Sequence, residues 1–233
     1  VVDRFAEKYT NLTLYHYAAN NPIIFIDVNG DSIDVSGLTE GQLETYNSNI
    51  ELLIKSKVFA AYYNALLKSE TVYTISAQKG EEGTPLEAGQ FFNSKNNEIG
   101  LGESMNAYVM AQELFHAYQN DNKDCYATGD FNFEFEAKLS VTAIEVEAGN
   151  GIAFIGGMGA IQSRVYNGDY GIENMQITPT NVNSKSFLDS YKIAANAYAK
   201  YNKKFSFMNR HYKASTTVSP SSLIKMVNKA YGN

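Results

Sequence analysis

The run Gln112-Glu113-Leu114-Phe115-His116 sets a carboxylate and an imidazole at short helical spacing. On a helix, residues four apart point the same way, so Gln112 and His116 share a face and Glu113 stands beside them. With histidine at the first position, two imidazoles would hold a zinc ion while the glutamate handles a proton of the metal-bound water. Here the first position is Gln112. Its amide oxygen is a neutral, weaker donor than imidazole, and zinc sites are normally built from Cys, His and carboxylates. Each residue also has an ordinary structural reading. His116 is then a hydrogen-bonded core residue, and Glu113 is a structural carboxylate that must find hydrogen bonds because burying it unpaired is costly.

The phrase extends through His116-Ala117-Tyr118-Gln119. It resembles the active helix of zincin metallopeptidases, where His-Glu-Leu-Phe-His-Ala-Tyr-Gln is a common form, and it matches at every position but the first. The resemblance implies a zincin-like metallopeptidase fold, and the elements read along the chain make its class α+β, helix-dominated with a small sheet. It also implies Glu113 as general base and His116 as a zinc ligand, with Gln112 at the position of the missing histidine. In the thermolysin-like, glutamate-ligand branch, the third ligand lies on a following helix at about the spacing of Glu136, 20 residues after His116. Glu134 is the second choice. Two positions turn a residue about 200° around a helix, so both glutamates cannot face one metal ion. Ala137 leaves room where two helices must approach, which favours Glu136. If it is not a ligand, Glu136 reads as a solvent-facing helix glutamate. With one imidazole in place of two, zinc is expected to bind weakly or not at all, and Gln112→His is expected to raise zinc affinity at least tenfold.

The elements that must position these residues follow from periodicity. Thr39 with Gln42 three residues on forms a capping-box pattern. Leu43, Tyr46, Ile50, Leu53, Ile54, Val58, Tyr62 and Leu66 continue a helical repeat to about Lys68, with a break expected near Lys55-Ser56. Thr71 to Ile75 alternates as a strand, and Phe91-Phe92 and Glu98 to Leu101 read as two short strands around a turn at 93–97. Helices are expected over 105–120, 133–148, 185–203 and 220–231. The 105–120 helix is apolar on most faces and is therefore buried. It is expected to pack on the 133–148 helix beside a sheet made of the segments near 71–77 and 97–101. Tyr118 and Tyr212 read as packing residues. The glycines at 151, 156, 157 and 159 do not form a dinucleotide-binding fingerprint.

The whole chain has 233 residues, 44% hydrophobic and 19% charged, which is enough for one packed domain. The balance of 19 basic against 25 acidic residues, a formal charge of −6, argues against nucleic acid as a partner. The single cysteine, Cys125, permits no internal disulfide, and no apolar run is long enough to span a bilayer. The opening residues show no basic start and no apolar h-region, so a mature fragment or a piece of a longer polypeptide is expected. The stretch Asp3 to Gly30, DRFAEKYTNLTLYHYAANNPIIFIDVNG, resembles the end of the RHS-repeat-associated core module. That pattern runs through Asp-Pro-Leu-Ala-Glu-Lys-Tyr, Tyr-x-Tyr, Asn-Asn-Pro and Ile-Asp-Pro-Asp-Gly, and this chain departs from it at two turn prolines, with Arg4 and Val28 in their places. The resemblance implies a junction. Residues 1–30, including His16, close an RHS-type region, and residues 31–233 form the variable C-terminal domain, often a toxin or enzyme, of a secreted or surface bacterial protein.

Three functions are open at this point. One is a zincin-like domain that has lost catalysis and binds protein or peptide, or serves as a structural part or effector. Another is a working zinc peptidase that uses His116 and Glu136, with Gln112 or His211 completing the site. The last is a helical domain of other chemistry in which Glu-x-x-His is accidental.

Overall fold

A computed structural model describes residues 32–80, 89–122, 131–148, 177–202 and 218–232. The RHS-like segment with His16, the glycine-rich stretch 151–159, and Cys125, His211 and Tyr212 lie outside the described residues. The described part is a mixed α+β fold dominated by helices. In order it contains β1 (Ile33–Asp34), α1 (Glu40–Leu53), α2 (Lys57–Leu66), β2 (Tyr73–Ser76), β3 (Gln90–Asn93) and β4 (Glu98–Leu101). Then come α3 (Ala107–Asn122), α4 (Phe131–Ala148), α5 (Lys185–Asn202) and α6 (Ser221–Tyr231). Among the described residues no helix is long and apolar enough to cross a membrane.

The start of α1 is fixed by the expected capping box: Gln42 N–H donates to Thr39 Oγ1 at 3.4 Å and Thr39 N–H donates to Gln42 Oε1 at 2.9 Å. The helical repeat breaks where expected, because Ser56 leaves helical geometry and its hydroxyl accepts the Phe59 N–H. The same hydroxyl donates to Glu147 Oε2 at 2.6 Å, and Val58 N–H donates to that oxygen at 3.0 Å. One carboxylate thus ties the start of α2 to the far end of α4. Its negative charge also suits the positive end of the α2 dipole.

The sheet runs in the order β1-β2-β4-β3. β1 and β4 flank β2 in parallel, with Ile75 opposite Ile99, while β3 and β4 form an antiparallel hairpin through a turn that holds Asn97 at φ 56°. Tyr73 and Ile75 point into the core and Thr74 points out, the period-two pattern of a half-buried strand. Glycine is required at position 100. A Cβ there would meet the Gly89 carbonyl and the Phe91 ring, each at 2.6 Å, so only glycine lets the hairpin close. β1 has only two residues, too few for a pattern to register.

α3 is the centre of the core. Every residue from Tyr108 to Gln119 is buried. It packs against α2, α4, β3 and β4, with α1 and α6 at its margins. Tyr62 of α2 sets its ring edge-on to Phe115 at 5.5 Å and donates its hydroxyl to the Ala111 carbonyl at 3.0 Å. From β2, the Tyr73 hydroxyl donates to the Ala117 carbonyl at 3.2 Å. On the other side, Phe135 of α4 packs between Tyr191 and Tyr198 of α5, with ring centres 5.4 Å from each.

Replacing Ser56 by Ala removes the α2 cap and leaves Glu147 short of a donor. A loss of about 1–2 kcal/mol of unfolding free energy is expected in urea titration, with an unchanged slope. A loss under 0.3 kcal/mol would show that the Ser56–Glu147 tie carries no stability.

Candidate functional site

Burying α3 on all sides takes Gln112, Glu113, His116 and Gln119 out of water together. Each buried polar group must then find a partner or lose stability. α4 supplies most of them. The helix start is set locally by Asn106, whose carboxamide accepts the Tyr108 N–H at 2.8 Å; Met105 before it takes φ 40° to enter the turn.

The His116 ring, only 3% exposed, stacks on Phe133 with centres 4.4 Å apart and planes within 10°. Its Nδ1 lies 2.8 Å from Gln119 Oε1 and its Nε2 lies 3.1 Å from Glu134 Oε2. The Gln119 amide cannot be reversed, because its Nε2 donates to Glu136 Oε2 at 2.6 Å and to the Phe133 carbonyl at 3.1 Å. Both ring nitrogens therefore face acceptors, and the arrangement calls for a protonated imidazolium donating at each. Beyond Glu134 the network continues. Gln112 Nε2 donates to Glu134 Oε1 at 3.2 Å, and the Lys138 ammonium sits 2.9 Å from the same oxygen. Lys138 also donates to Gln112 Oε1 at 3.2 Å. Glu134 and Lys138 lie four apart on α4 in the favourable order, carboxylate first.

Electrostatics match this geometry. Burial alone would raise the Glu134 pKa, but the Lys138 charge and the His116 hydrogen bond outweigh it and hold the carboxyl well below its usual range. Burial would lower His116, yet its bond to Glu134 and the fields of Glu113 and Glu134 leave the ring above its ordinary value. Burial likewise opposes the Lys138 charge, and Glu134 more than restores it. Glu113, 6% exposed, is the group left strained: burial pushes it up to about 7, helped by Glu134 and opposed by His116 and Lys138.

The structure brings Gln112, Glu113, His116 and Glu134 together, and α3 pairs with α4 as expected. The two glutamates fall in the reverse of the expected order. Glu134, the second choice, meets His116 Nε2. Glu136 is not solvent-facing but 0% exposed. Its Oε1 accepts the Leu223 N–H at 2.8 Å, and its Oε2 accepts from Gln119 and does not meet the His116 ring directly. It caps α6 from outside, because the cap residue Pro220 supplies no side-chain hydrogen bond. Both glutamates are buried and both reach α3, Glu134 through Gln112 and His116 and Glu136 through Gln119. Tyr118 packs against Tyr62 and Phe115, as expected. Lys138 and Gln119 escaped the sequence reading. Their signals were the i,i+4 pair Glu134–Lys138 and the i,i+3 pair His116–Gln119.

These residues do not fit the zinc ion that the zincin resemblance implies. A zinc-bound imidazole needs a lone pair on the ligating nitrogen, whereas both His116 nitrogens face acceptors. Both Glu134 oxygens are engaged, and the Gln112 oxygen receives an ammonium. Among the described residues no trio of His, Cys, Asp or Glu is arranged to hold a metal ion. In comparisons with known proteins, no family model, curated protein or solved structure matches the chain.

The raised Glu113 pKa fixes the sign of a pH effect. Between the ordinary value of 4.5 and about 7 the folded chain binds a proton that the unfolded chain has lost, so this group's contribution falls as pH rises through that window. His116, also raised, contributes fully below 6.5 and loses its contribution as pH rises through its folded value. Glu134, depressed, acts in the other direction: its contribution is complete above 4.5 and is lost as pH falls below that value. Denaturation at pH 5 and pH 8 is expected to show Glu113→Gln gaining on the order of 2 kcal/mol over wild type at pH 8, with little difference at pH 5. Equal pH slopes for the two proteins would contradict the assignment of the strain to Glu113.

Proposed function

We propose that residues 31–233 form a degenerate zincin-like domain without peptidase activity, acting as a binding or structural part, or as the C-terminal effector, of an RHS-type protein. One observation carries this reading. The Glu-x-x-His face of α3 is opposed by a glutamate of α4, as in a metal hydrolase, yet Gln112, His116 and Glu134 are bonded to one another and to Lys138. A general base needs a substrate or water to act on, and Glu113 here is 6% exposed on a helix buried from Tyr108 to Gln119. The RHS resemblance of residues 3–30 supports a place at the C-terminal end of a secreted or surface protein. The −6 charge favours protein or peptide over nucleic acid as partner. The alternative of an active peptidase with Glu136 on the metal would require Glu136 to abandon the Leu223 N–H and Gln119. A second reading, a helical binding domain unrelated to zincins, draws on the completeness of the same network.

Elemental analysis of the full chain is expected to find well under one equivalent of zinc, with no hydrolysis of an unfolded protein substrate in the presence of added zinc. Stoichiometric zinc that is lost in His116→Ala, with peptidase activity lost in Glu113→Gln, would overturn the reading in favour of a working enzyme.

A further inference from the structure

We infer that the Lys138 ammonium is a tethered cation standing in the metal's place, and that it blocks zinc binding independently of Gln112. The inference rests on the zincin-like reading of the α3–α4 pair and concerns what now fills that site. Three observations place the ammonium there. Its nitrogen lies between the first-ligand position and the α4 carboxylate, 3.2 Å from Gln112 Oε1 and 2.9 Å from Glu134 Oε1. Two of the groups a zinc ion would gather, Gln112 and Glu134, thus already face this ammonium, and the third, His116, bonds the other oxygen of the same carboxylate. The lysine stem is largely buried, with the side chain 17% exposed, so this charge is not one that merely passes by from solvent.

Charge makes the arrangement exclusive. A carboxylate buried among apolar residues needs a cation, and Lys138 satisfies Glu134 without any dissolved ion. A zinc dication admitted to the same space would stand within a few ångströms of the ammonium in a medium that screens poorly. Gln112 completes the lock: its oxygen accepts from the ammonium and its nitrogen donates to Glu134, a pairing that suits an amide and a lysine together. Restoring histidine at 112 alone therefore returns a ligand to a place already filled by positive charge. The tenfold gain expected from the motif alone requires Lys138 to leave as well.

The test measures zinc affinity of the full chain by competition with a chromophoric chelator near pH 7.5, for wild type, Q112H, K138M and two double variants, Q112H/K138M and Q112H/K138Q. Methionine keeps the apolar stem. Glutamine keeps a donor for Glu134, which guards against a fold lost to an unpaired carboxylate, and circular dichroism with and without zinc reports folding. Q112H and K138M alone are each expected to gain less than tenfold. At least one double variant is expected to bind at least a hundredfold more tightly than Q112H, and to lose that gain on E134Q but not on E136Q. If Q112H alone binds as tightly as the double variants, the blocking role of Lys138 is overturned while the zincin-like reading stands. If neither double variant binds zinc, or neither folds even with zinc added, the inference and the zincin-like reading fall together.

Discussion

A single imidazole donating from both nitrogens organises the interior of this domain. His116 cannot be deprotonated without leaving Gln119 Oε1 or Glu134 Oε2 facing a lone pair. From that ring one chain of contacts runs through Gln119 and Glu136 to the first turn of α6, and another runs through Glu134 to Lys138 and Gln112. Three helices are thereby placed relative to one another by directional bonds and not only by apolar contact. The arrangement is stable because it is complete. A half-satisfied network of this kind costs more than an apolar core, whereas a satisfied one rigidifies the helix pair that contains it.

Opposite charges make the completeness affordable. Two carboxylates, Glu113 and Glu134, meet two cations, His116 and Lys138, within one buried cluster. Glu134 receives the better share, with the ammonium and the ring both against it, and is held ionised. Glu113 receives only the fields of its neighbours and is pushed up to about 7. The difference between two carboxylates on facing helices is thus one of hydrogen-bonded contact, not of burial, since both are nearly inaccessible. For a hydrolase, the same groups would be split between a metal and a water; here they are turned inward onto each other.

Most of the scaffold was legible in the sequence because it is encoded locally. The Thr39–Gln42 box, the Ser56 break, the hairpin around Asn97 and the four later helices each follow from residues within a turn or two. The pairing of α3 with α4 was also expected, from the burial of α3 and the separation of a second, glutamate-bearing helix from His116. The rotation of α4 about its axis did not. Whether Glu134 or Glu136 meets His116 depends on how α4 crosses α3 and on the demand of α6 for an external cap, and both are tertiary facts. A small residue beside Glu136 was a weak guide to helix approach compared with the capping need of the Leu223 N–H. Lys138 went unread because a lysine in a helix normally signals a wet face; its position one turn beyond a buried glutamate was the cue.

The central claim is that a lysine, and not a metal ion, supplies the positive charge between α3 and α4. A crystal structure from zinc-containing solution, with anomalous differences collected at the zinc edge, tests it most directly. The expected map places Lys138 Nζ in hydrogen-bond contact with Glu134 and Gln112 and shows no anomalous peak within the cluster. A strong zinc peak bound by His116 Nε2 and Glu134, with the Lys138 side chain turned away to solvent, would contradict it.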